Sequence, residues 1–227
     1  MGEPKLQTIV QIGSHVGKTF NDPIFEIVNE NTNLFCVEPV PYLFKQLVDN
    51  YSFRFPGNNF KFINKAVSNH NRGITLYIPS EENEFETMPP WASQLSSCDP
   101  QHIEYHKIQI NQLVDVTKHQ KDLIENFNNI KIDNIQVESI TLDELIEQYN
   151  ITSIDLLNTD TEGHDYEILM KFSFSILPKR VQFEQKHLGD ERKRTLVKRI
   201  ISFGYNLISE DTEDMVFALW NLAIGNS

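Results

Sequence analysis

The densest group of side chains that could do chemistry lies in residues 154–169, which read IDLLNTDTEGHDYEIL. An apolar run predicts a buried strand, and Asp160 and Glu162 follow its end before Gly163 opens a helix. Open parallel sheets bind their ligands at the carboxyl ends of the strands. The segment therefore predicts that two carboxylates converge at the mouth of a ligand cleft, where they can hold a charge or accept a proton.

A second candidate, His187, follows a predicted strand at residues 180–184 and would reach the same sheet edge as Asp160. Histidine is the side chain best suited to take a proton from a hydroxyl group near neutral pH. Both residues are therefore candidates for a general base. A surface histidine without a role is an equally open interpretation of His187.

The first predicted strand ends in a glycine-containing loop, residues 10–17, which reads VQIGSHVG. Its G-x-x-x-G spacing lets a ligand approach the backbone, whereas a dinucleotide pyrophosphate requires G-x-G-x-x-G. The spacing disfavours NAD and FAD as cofactors. The alternative interpretation is that the glycines serve only to form a structural turn. Glu38 ends the second strand, where a carboxylate can accept hydrogen bonds from both hydroxyls of a ribose. The alternative for Glu38 is a solvated loop glutamate.

These residues require elements that bring them together. Pro23 fits the first turn of one helix, and Thr141 with Glu144 forms a capping box for another. Alternating strands and helices predict a mainly parallel α/β sheet that is covered on both faces. The predicted strands are residues 8–12, 34–37, 60–63, 73–78, 135–140, 154–159, 180–184, 205–209 and 215–220, and the predicted helices are residues 20–28, 41–51, 141–149, 163–172 and 190–203.

Residues 79–134 interrupt this alternation. Their pattern fits no single period and the stretch is too long for an ordinary loop, so we predict an insertion with some structure of its own. His102 and His106 fall in this stretch, and their spacing in the sequence predicts no metal site. The length of 227 residues suits a single α/β domain.

Composition narrows the possible partners. The net charge of −12 repels polyanions and argues against nucleic-acid and anionic-membrane partners. A basic stretch at residues 186–199 also carries acidic residues, and we interpret it as a solvated helix face. Two cysteines, the lack of a signal-peptide pattern and the lack of a membrane-spanning apolar run indicate a soluble cytoplasmic protein.

The string at residues 154–169 resembles the D-L-L-K-I-D-V-E-G-H-E hallmark of the FkbM-type methyltransferases. The V-x-I-G-x-x-x-G opening, the Val37-Glu38-Pro39 step, residues 65–68 (KAVS) and residues 140–145 (ITLDEL) follow in that family's order. The resemblance covers about residues 8–184. It implies a Rossmann-like class I methyltransferase with a seven-stranded sheet, in one domain over residues 1–227.

The resemblance also implies S-adenosylmethionine as cofactor. Glu38 would hold its ribose, Ala66 would lie near its adenine, and Asp160 would face its methyl group. A carboxylate beside the positively charged sulfonium should have a depressed pKa, which favours His187 over Asp160 as the base. The full set of implied cofactor residues is Gly13, Ser14, Gly17, Glu38, Ala66 and Asp160.

The insertion resembles the family at residues 91–97 (WASQLSS), a segment that would form a lid over the methyl-transfer cleft. An aromatic face and hydroxyl groups suit a sugar, so we predict that Trp91, Ser93 and Ser96 contact a sugar or glycan acceptor. An exposed loop with an anchored tryptophan is the alternative.

The leading hypothesis is an S-adenosylmethionine-dependent O-methyltransferase whose proton acceptor is His187 or Asp160, with Glu162 beside them. Gln11 stands where the family has an acid. This difference leaves a second hypothesis, that the protein is a catalytically silent module that only binds the cofactor. A third hypothesis, an NAD-dependent oxidoreductase, is disfavoured. Asp165 replaces a hallmark glutamate. Some family members hold a divalent ion, and although no metal is favoured here, its alternative ligands would be Asp160, Glu162 and Glu184.

Overall fold

A computed structural model describes residues 7–18, 22–114 and 116–220. Phe20, which belongs to the first predicted helix, lies outside these residues. The strands are β1 (Gln7–Ile12), β2 (Thr32–Val37), β3 (Lys61–Ile63), β4 (Ala66–Val67), β5 (Ile74–Pro79), β6 (Ile132–Val137), β7 (Ser139–Ile140), β8 (Leu156–Thr159), β9 (Arg180–Glu184), β10 (Tyr205–Glu210) and β11 (Asp214–Leu219). The helices are α1 (Pro23–Ile27), α2 (Pro41–Arg54), α3 (His102–Asn111), α4 (Lys118–Asn128), α5 (Leu142–Gln148), α6 (Asp165–Lys171) and α7 (Asp190–Ser202). No helix in the described part of the chain has both the length and the apolar character needed to cross a bilayer.

The chain divides into two compact units. Unit 1 consists of Met1–Gly73 with Glu138–Ser227, and unit 2 consists of Ile74–Val137. The predicted insertion at residues 79–134 falls inside unit 2. The prediction of one domain with a lid over its cleft stays a prediction.

The large sheet of unit 1 has seven strands in the order β10-β11-β9-β8-β1-β2-β3. Strands β3, β2, β1, β8 and β9 are parallel, and β11 is antiparallel to both of its neighbours. Numbered within the sheet along the chain, the order is 3-2-1-4-5-7-6, which departs from the dinucleotide-binding order 3-2-1-4-5-6 at its last two strands. The predicted α/β fold with a mainly parallel seven-stranded sheet is confirmed.

Two separate cores in unit 1 lie on the two faces of this sheet. Val10 and Ile12 of β1 belong to a cluster with apolar side chains of α5, α6 and α7. Ile9 of the same strand belongs to a second cluster with side chains of α1 and α2. Because successive side chains of a strand point to opposite faces, helices cover both faces of the sheet, as predicted.

Local capping signals place two helices of unit 1. Helix α1 begins at Pro23, and the Asp22 side chain accepts a hydrogen bond from a backbone N–H of its first turn. Helix α5 begins after Thr141, which forms the predicted capping box with Glu144. Each cap satisfies a backbone donor that the first helical turn leaves unpaired.

Unit 2 has its own small core and a strand pair. β5 and β6 pair antiparallel over their full lengths. Helices α3 and α4 lie in a stretch whose sequence pattern predicted no regular element. Seven buried apolar residues of this unit form one cluster, which consists of Met88, Ala92, Leu95, Ile103, Ile110, Phe127 and Ile130.

The single strand predicted at residues 135–140 is wrong. The chain forms β6 and β7 on either side of Glu138. β6 pairs with β5 inside unit 2, whereas β7 pairs in parallel with β4 inside unit 1. Alternating side chains show that a segment is extended, but they do not show where its pairing partner changes.

Candidate functional site

Four neighbouring strands of unit 1 end at one edge of the sheet and carry most of the predicted site residues. Strands β2, β1, β8 and β9 are adjacent and parallel, so their carboxyl ends align. The strand order reverses at β1, and open α/β sheets form their ligand crevice at such a point. Glu38 follows β2, while the other three strands lead into residues 13–17, 160–163 and 184–187.

The loop after β1 needs its glycines for packing. A Cβ atom at Gly13, where φ is +81°, would lie 1.7 Å from the carbonyl oxygen of Asp160. The backbone N–H groups of Gly13 and Ser14 donate to the carbonyl of Val37 at 3.0 and 3.1 Å. A Cβ atom at Gly17 would lie 2.5 Å from a tyrosine ring of α2. Close packing, against backbone at Gly13 and against side chains at Gly17, thus accounts for both glycines. Their contact with a cofactor stays a prediction.

Glu38 is a buried acceptor, with 4% of its surface exposed, so the solvated-loop alternative is wrong. Its two carboxylate oxygens accept backbone hydrogen bonds from His15 and Val40, both at 2.8 Å. Burial raises the pKa of Glu38 to about 8, and the two backbone donors oppose this shift. Because each carboxylate oxygen has a second lone pair, Glu38 can still accept hydrogen bonds from two hydroxyl groups.

Gln11 contacts an acid that the sequence patterns did not single out. Its Nε2 donates to Oδ2 of Asp22 at 2.8 Å. Burial raises the pKa of Asp22, and the hydrogen bond from Gln11 opposes the shift. Ser14 is also buried beside this pair, where its hydroxyl donates to the Gln11 carbonyl at 3.3 Å. The Asp-Pro step signals a helix cap, but nothing in the sequence shows that it lies against β1.

Asp165 stabilises the loop after β8 by hydrogen bonds to Thr161. It is fully buried, and its Oδ2 accepts hydrogen bonds from the Thr161 hydroxyl at 2.8 Å and from the Thr161 N–H at 3.3 Å. Glu162 and Gly163 have φ angles of +50° and +96°, in the left-handed region. Helix α6 therefore begins at Asp165 and not at Gly163, which corrects the predicted start. The loop passes so close to the β9 loop that a Cβ atom at Gly163 would lie 3.2 Å from Cβ of His187.

His187 lies among carboxyl groups at the centre of this edge. Its Nε2 is 3.2 Å from Oε2 of Glu162 and 3.4 Å from Oε1 of Glu184. The second oxygen of Glu184 is buried and has no hydrogen-bond partner among the residues that the structure describes. Two acidic side chains from different loops thus orient one imidazole ring.

Crowding of acidic groups dominates the electrostatics here. Asp160 as a residue is exposed, but the protein around its carboxyl group leaves that group little contact with water. This desolvation raises the pKa of Asp160 well above its usual range, and the negative charges of Glu162 and Asp165 raise it further. Burial, together with Glu162 and Asp160, also raises the pKa of Glu184. We expected a depressed pKa for Asp160 on the assumption that a sulfonium lies beside it. The protein groups alone shift this pKa in the opposite direction, upwards.

The predicted adenine side contains a further contact. Ala66 is buried in β4, and its N–H donates to the Glu138 carbonyl at 2.9 Å. The Ser68 hydroxyl lies 3.0 Å from Nε2 of His164, and burial lowers the pKa of this histidine. Because Ser68 is only 1% exposed, we interpret the pair as a tie between β4 and the start of α6 and not as a nucleophile with its base.

The predicted acceptor residues lie in unit 2. The Trp91 ring packs edge-on against Phe127, with the ring centroids 4.9 Å apart, so this tryptophan is anchored in the core of its unit. The Ser96 hydroxyl oxygen is buried and has no hydrogen-bond partner in the described part of the chain. Ser93 is partly exposed. Contact of these residues with an acceptor stays a prediction.

Solved structures with similarity to the chain include a methyltransferase and a pre-rRNA processing protein. Methyltransferase FkbM from Methylobacillus flagellatus is 10% identical with a TM-score of 0.48, over 96% of this chain and 44% of that one. The fibrillarin pre-rRNA processing protein of Methanococcus jannaschii is 12% identical with a TM-score of 0.44, over 97% and 69% of the two chains. The chain thus spans less than half of the FkbM structure.

Sequence comparison gives a more specific result. No curated protein matches the chain significantly. The family profile of the methyltransferase FkbM domain, however, matches residues 11–216. This match covers all four strand ends described above. Because it spans nearly the whole chain, the protein belongs to the FkbM methyltransferase domain family.

Proposed function

We propose that the protein is an S-adenosylmethionine-dependent O-methyltransferase that acts in the cytoplasm on a hydroxyl group of a small acceptor, a sugar or glycan. One observation carries this proposal. The carboxyl ends of β2, β1 and β8 are adjacent in unit 1, and they bring together the buried Glu38 carboxylate, the glycine loop and Asp160. When bound there, S-adenosylmethionine supplies an electrophilic methyl group.

The chemistry of this edge suits a cationic nucleoside ligand. Glu38 retains acceptor capacity for the two ribose hydroxyls. Asp22, hydrogen-bonded to Gln11, keeps an acidic group near the strand position where the family has one. The crowded carboxyl groups around Asp160 favour a positive charge, because a cation relieves the repulsion that raises their pKa values. The Asp22 contact also weakens the case for a silent binding module, which rested on Gln11 alone.

In this proposal His187 removes the acceptor proton. One imidazole nitrogen would take the proton of the acceptor hydroxyl group, and the bound cofactor would supply the electrophilic methyl group to that oxygen. Glu162 and Glu184 hold the ring in place and stabilise the imidazolium that forms. The rest of the site contributes alignment.

A divalent metal ion is the alternative means of activating the hydroxyl group. Asp160, Glu162 and Glu184 would hold it, since carboxylate oxygens suit a hard cation and one oxygen of Glu184 has no hydrogen-bond partner in the described chain. The ion would orient a sugar diol and lower the pKa of its hydroxyl. Loss of activity with a chelator would distinguish this alternative from proton removal by His187.

Replacement of Glu38 by alanine should weaken the binding of S-adenosylmethionine and of its demethylated product at least about tenfold. The variant loses the hydrogen bonds from the two ribose hydroxyls, each worth about 0.5–1.5 kcal/mol. Calorimetric titration measures both affinities, which we expect to be micromolar in the wild type. Glu30→Ala, at the opposite end of β2, is the control and should leave them unchanged. Tight NAD binding without binding of either adenosyl ligand would refute the cofactor assignment.

Replacement of Ser96 by alanine should raise the acceptor KM more than the cofactor Kd. Its buried hydroxyl is unsatisfied within the described chain, so an acceptor hydroxyl is a suitable partner. Trp91→Phe should act in the same direction and retains an aromatic ring in the unit 2 core. Asp122→Ala, on an exposed face of α4, serves as control in the same steady-state assay. If cofactor affinity falls while the acceptor KM is unchanged, residues 91–97 do not bind the acceptor.

A further inference from the structure

Helix α3 places two histidines together inside unit 2. His102 and His106 are four residues apart, a spacing that puts both on one face of a helix. They are 7% and 8% exposed. Their ring centroids are 4.8 Å apart, and the ring planes are inclined by 67°. The sequence alone pointed to no role for this pair, because its pattern does not reveal α3.

This geometry is close to that of two imidazoles that share one metal ion. With zinc–nitrogen bonds of about 2.0–2.1 Å and tetrahedral angles, two ring centroids lie about 5 Å apart. A ring nitrogen of His102 lies within 4.8 Å of one of His106, so a small side-chain rotation brings both to a common ion. The helix itself is fixed, because Ile103 and Ile110 are buried in the unit 2 core.

The surroundings favour a transition metal over magnesium or calcium. Imidazole nitrogen suits zinc, copper and nickel, whereas hard cations prefer oxygen ligands. The Trp91 ring, whose centroid is 5.5 Å from that of His106, borders the pair on one side. The only acid between the two histidines in sequence, Glu104, is exposed and forms an ion pair with Lys107 at 2.7 Å. The segment therefore lacks the inward-facing glutamate of a zinc-hydrolase H-E-x-x-H helix.

We propose that His102 and His106 bind a divalent transition-metal ion through their ring nitrogens. Water or another oxygen ligand fills the remaining positions, as in metal sites that keep open coordination. The proposal concerns these two ring nitrogens of unit 2 and does not require S-adenosylmethionine to be bound.

Equilibrium dialysis of the full chain against Co²⁺ tests the proposal. His102→Ala and His106→Ala should each weaken binding at least about tenfold, since the loss of even an outer-shell partner costs 10–100-fold. His119→Ala, on an exposed part of α4, is the matched control and should leave the affinity unchanged.

A spectroscopic measurement covers the case in which the buried variants fail to fold. The wild-type chain with one equivalent of Cu²⁺ should give an electron paramagnetic resonance spectrum with hyperfine splitting from two imidazole nitrogens. Splitting from no nitrogen would overturn the proposal. So would Co²⁺ binding that is unchanged in folded His102→Ala and His106→Ala but lost in Glu184→Gln.

Discussion

Replacing His187 by alanine should lower kcat by about 10²–10⁴-fold, the usual contribution of a positioned general base. A sugar hydroxyl is a poor nucleophile while it keeps its proton, and the imidazole is oriented to take it by contacts of 3.2 and 3.4 Å to Glu162 and Glu184. The cofactor Kd should stay unchanged, since the assigned ribose acceptor is Glu38. Single-turnover rates and calorimetry measure the two quantities separately.

Chemical rescue distinguishes a base from a residue that only shapes the loop. Added imidazole should restore part of the activity of His187→Ala, which it does not do for a structural defect. His119→Ala provides a histidine control that should retain the full rate. A kcat within about threefold of the wild type would exclude His187 as the base, and Asp160, whose pKa is raised among the protein groups, would then take its place.

Gly13→Ala should destabilise the protein by about 2–5 kcal/mol. The left-handed backbone at this position costs a residue with a Cβ atom about 1–2 kcal/mol, and the overlap with the Asp160 carbonyl adds about 1–3 kcal/mol because β1 or β8 must shift. Native domains are stable by only about 5–15 kcal/mol, so this loss is large. Urea denaturation measures the difference in unfolding free energy.

Gly57 offers a matched control. Its φ of +86° is nearly that of Gly13, but apart from its chain neighbours no heavy atom of the described residues lies within 4 Å of the position that a Cβ would occupy. Gly57→Ala should therefore cost only the backbone contribution of about 1–2 kcal/mol. Equal losses for the two variants would show that the β1 loop does not press against the end of β8.

The sheet could be predicted from the sequence because its strands are short apolar runs separated by helices. In such folds burial on both faces leaves a strong apolar signal. Unit 2 was less predictable, because many of its residues are polar and its apolar residues follow no single period. Even so, Thr117 and Gln120 form a capping box before α4, and this Thr-x-x-Gln pattern is a sequence signal from which the start of the helix could have been predicted.

The candidate site was partly predictable for a topological reason. Residues that follow neighbouring parallel strands meet at one edge, which brought His187, Glu162 and Glu184 together as expected. Asp22 was missed because its contact with Gln11 depends on where the start of α1 lies relative to β1, which the sequence does not show. The direction in which the pKa of Asp160 is shifted could not be predicted from the sequence either. It depends on the burial of the carboxyl group and on the other carboxylates that lie around it.

Methyl transfer from S-adenosylmethionine with an isotopically labelled methyl group tests the central claim most directly. The purified chain is incubated with the labelled cofactor and a panel of sugars and glycans, and the products are analysed by mass spectrometry with fragmentation. We predict that the label appears on an acceptor oxygen with wild-type protein and at a rate at least about 100-fold lower with His187→Ala. Label on nitrogen or carbon, or an unchanged cofactor in the presence of acceptors that demonstrably bind, would contradict the assignment as an O-methyltransferase.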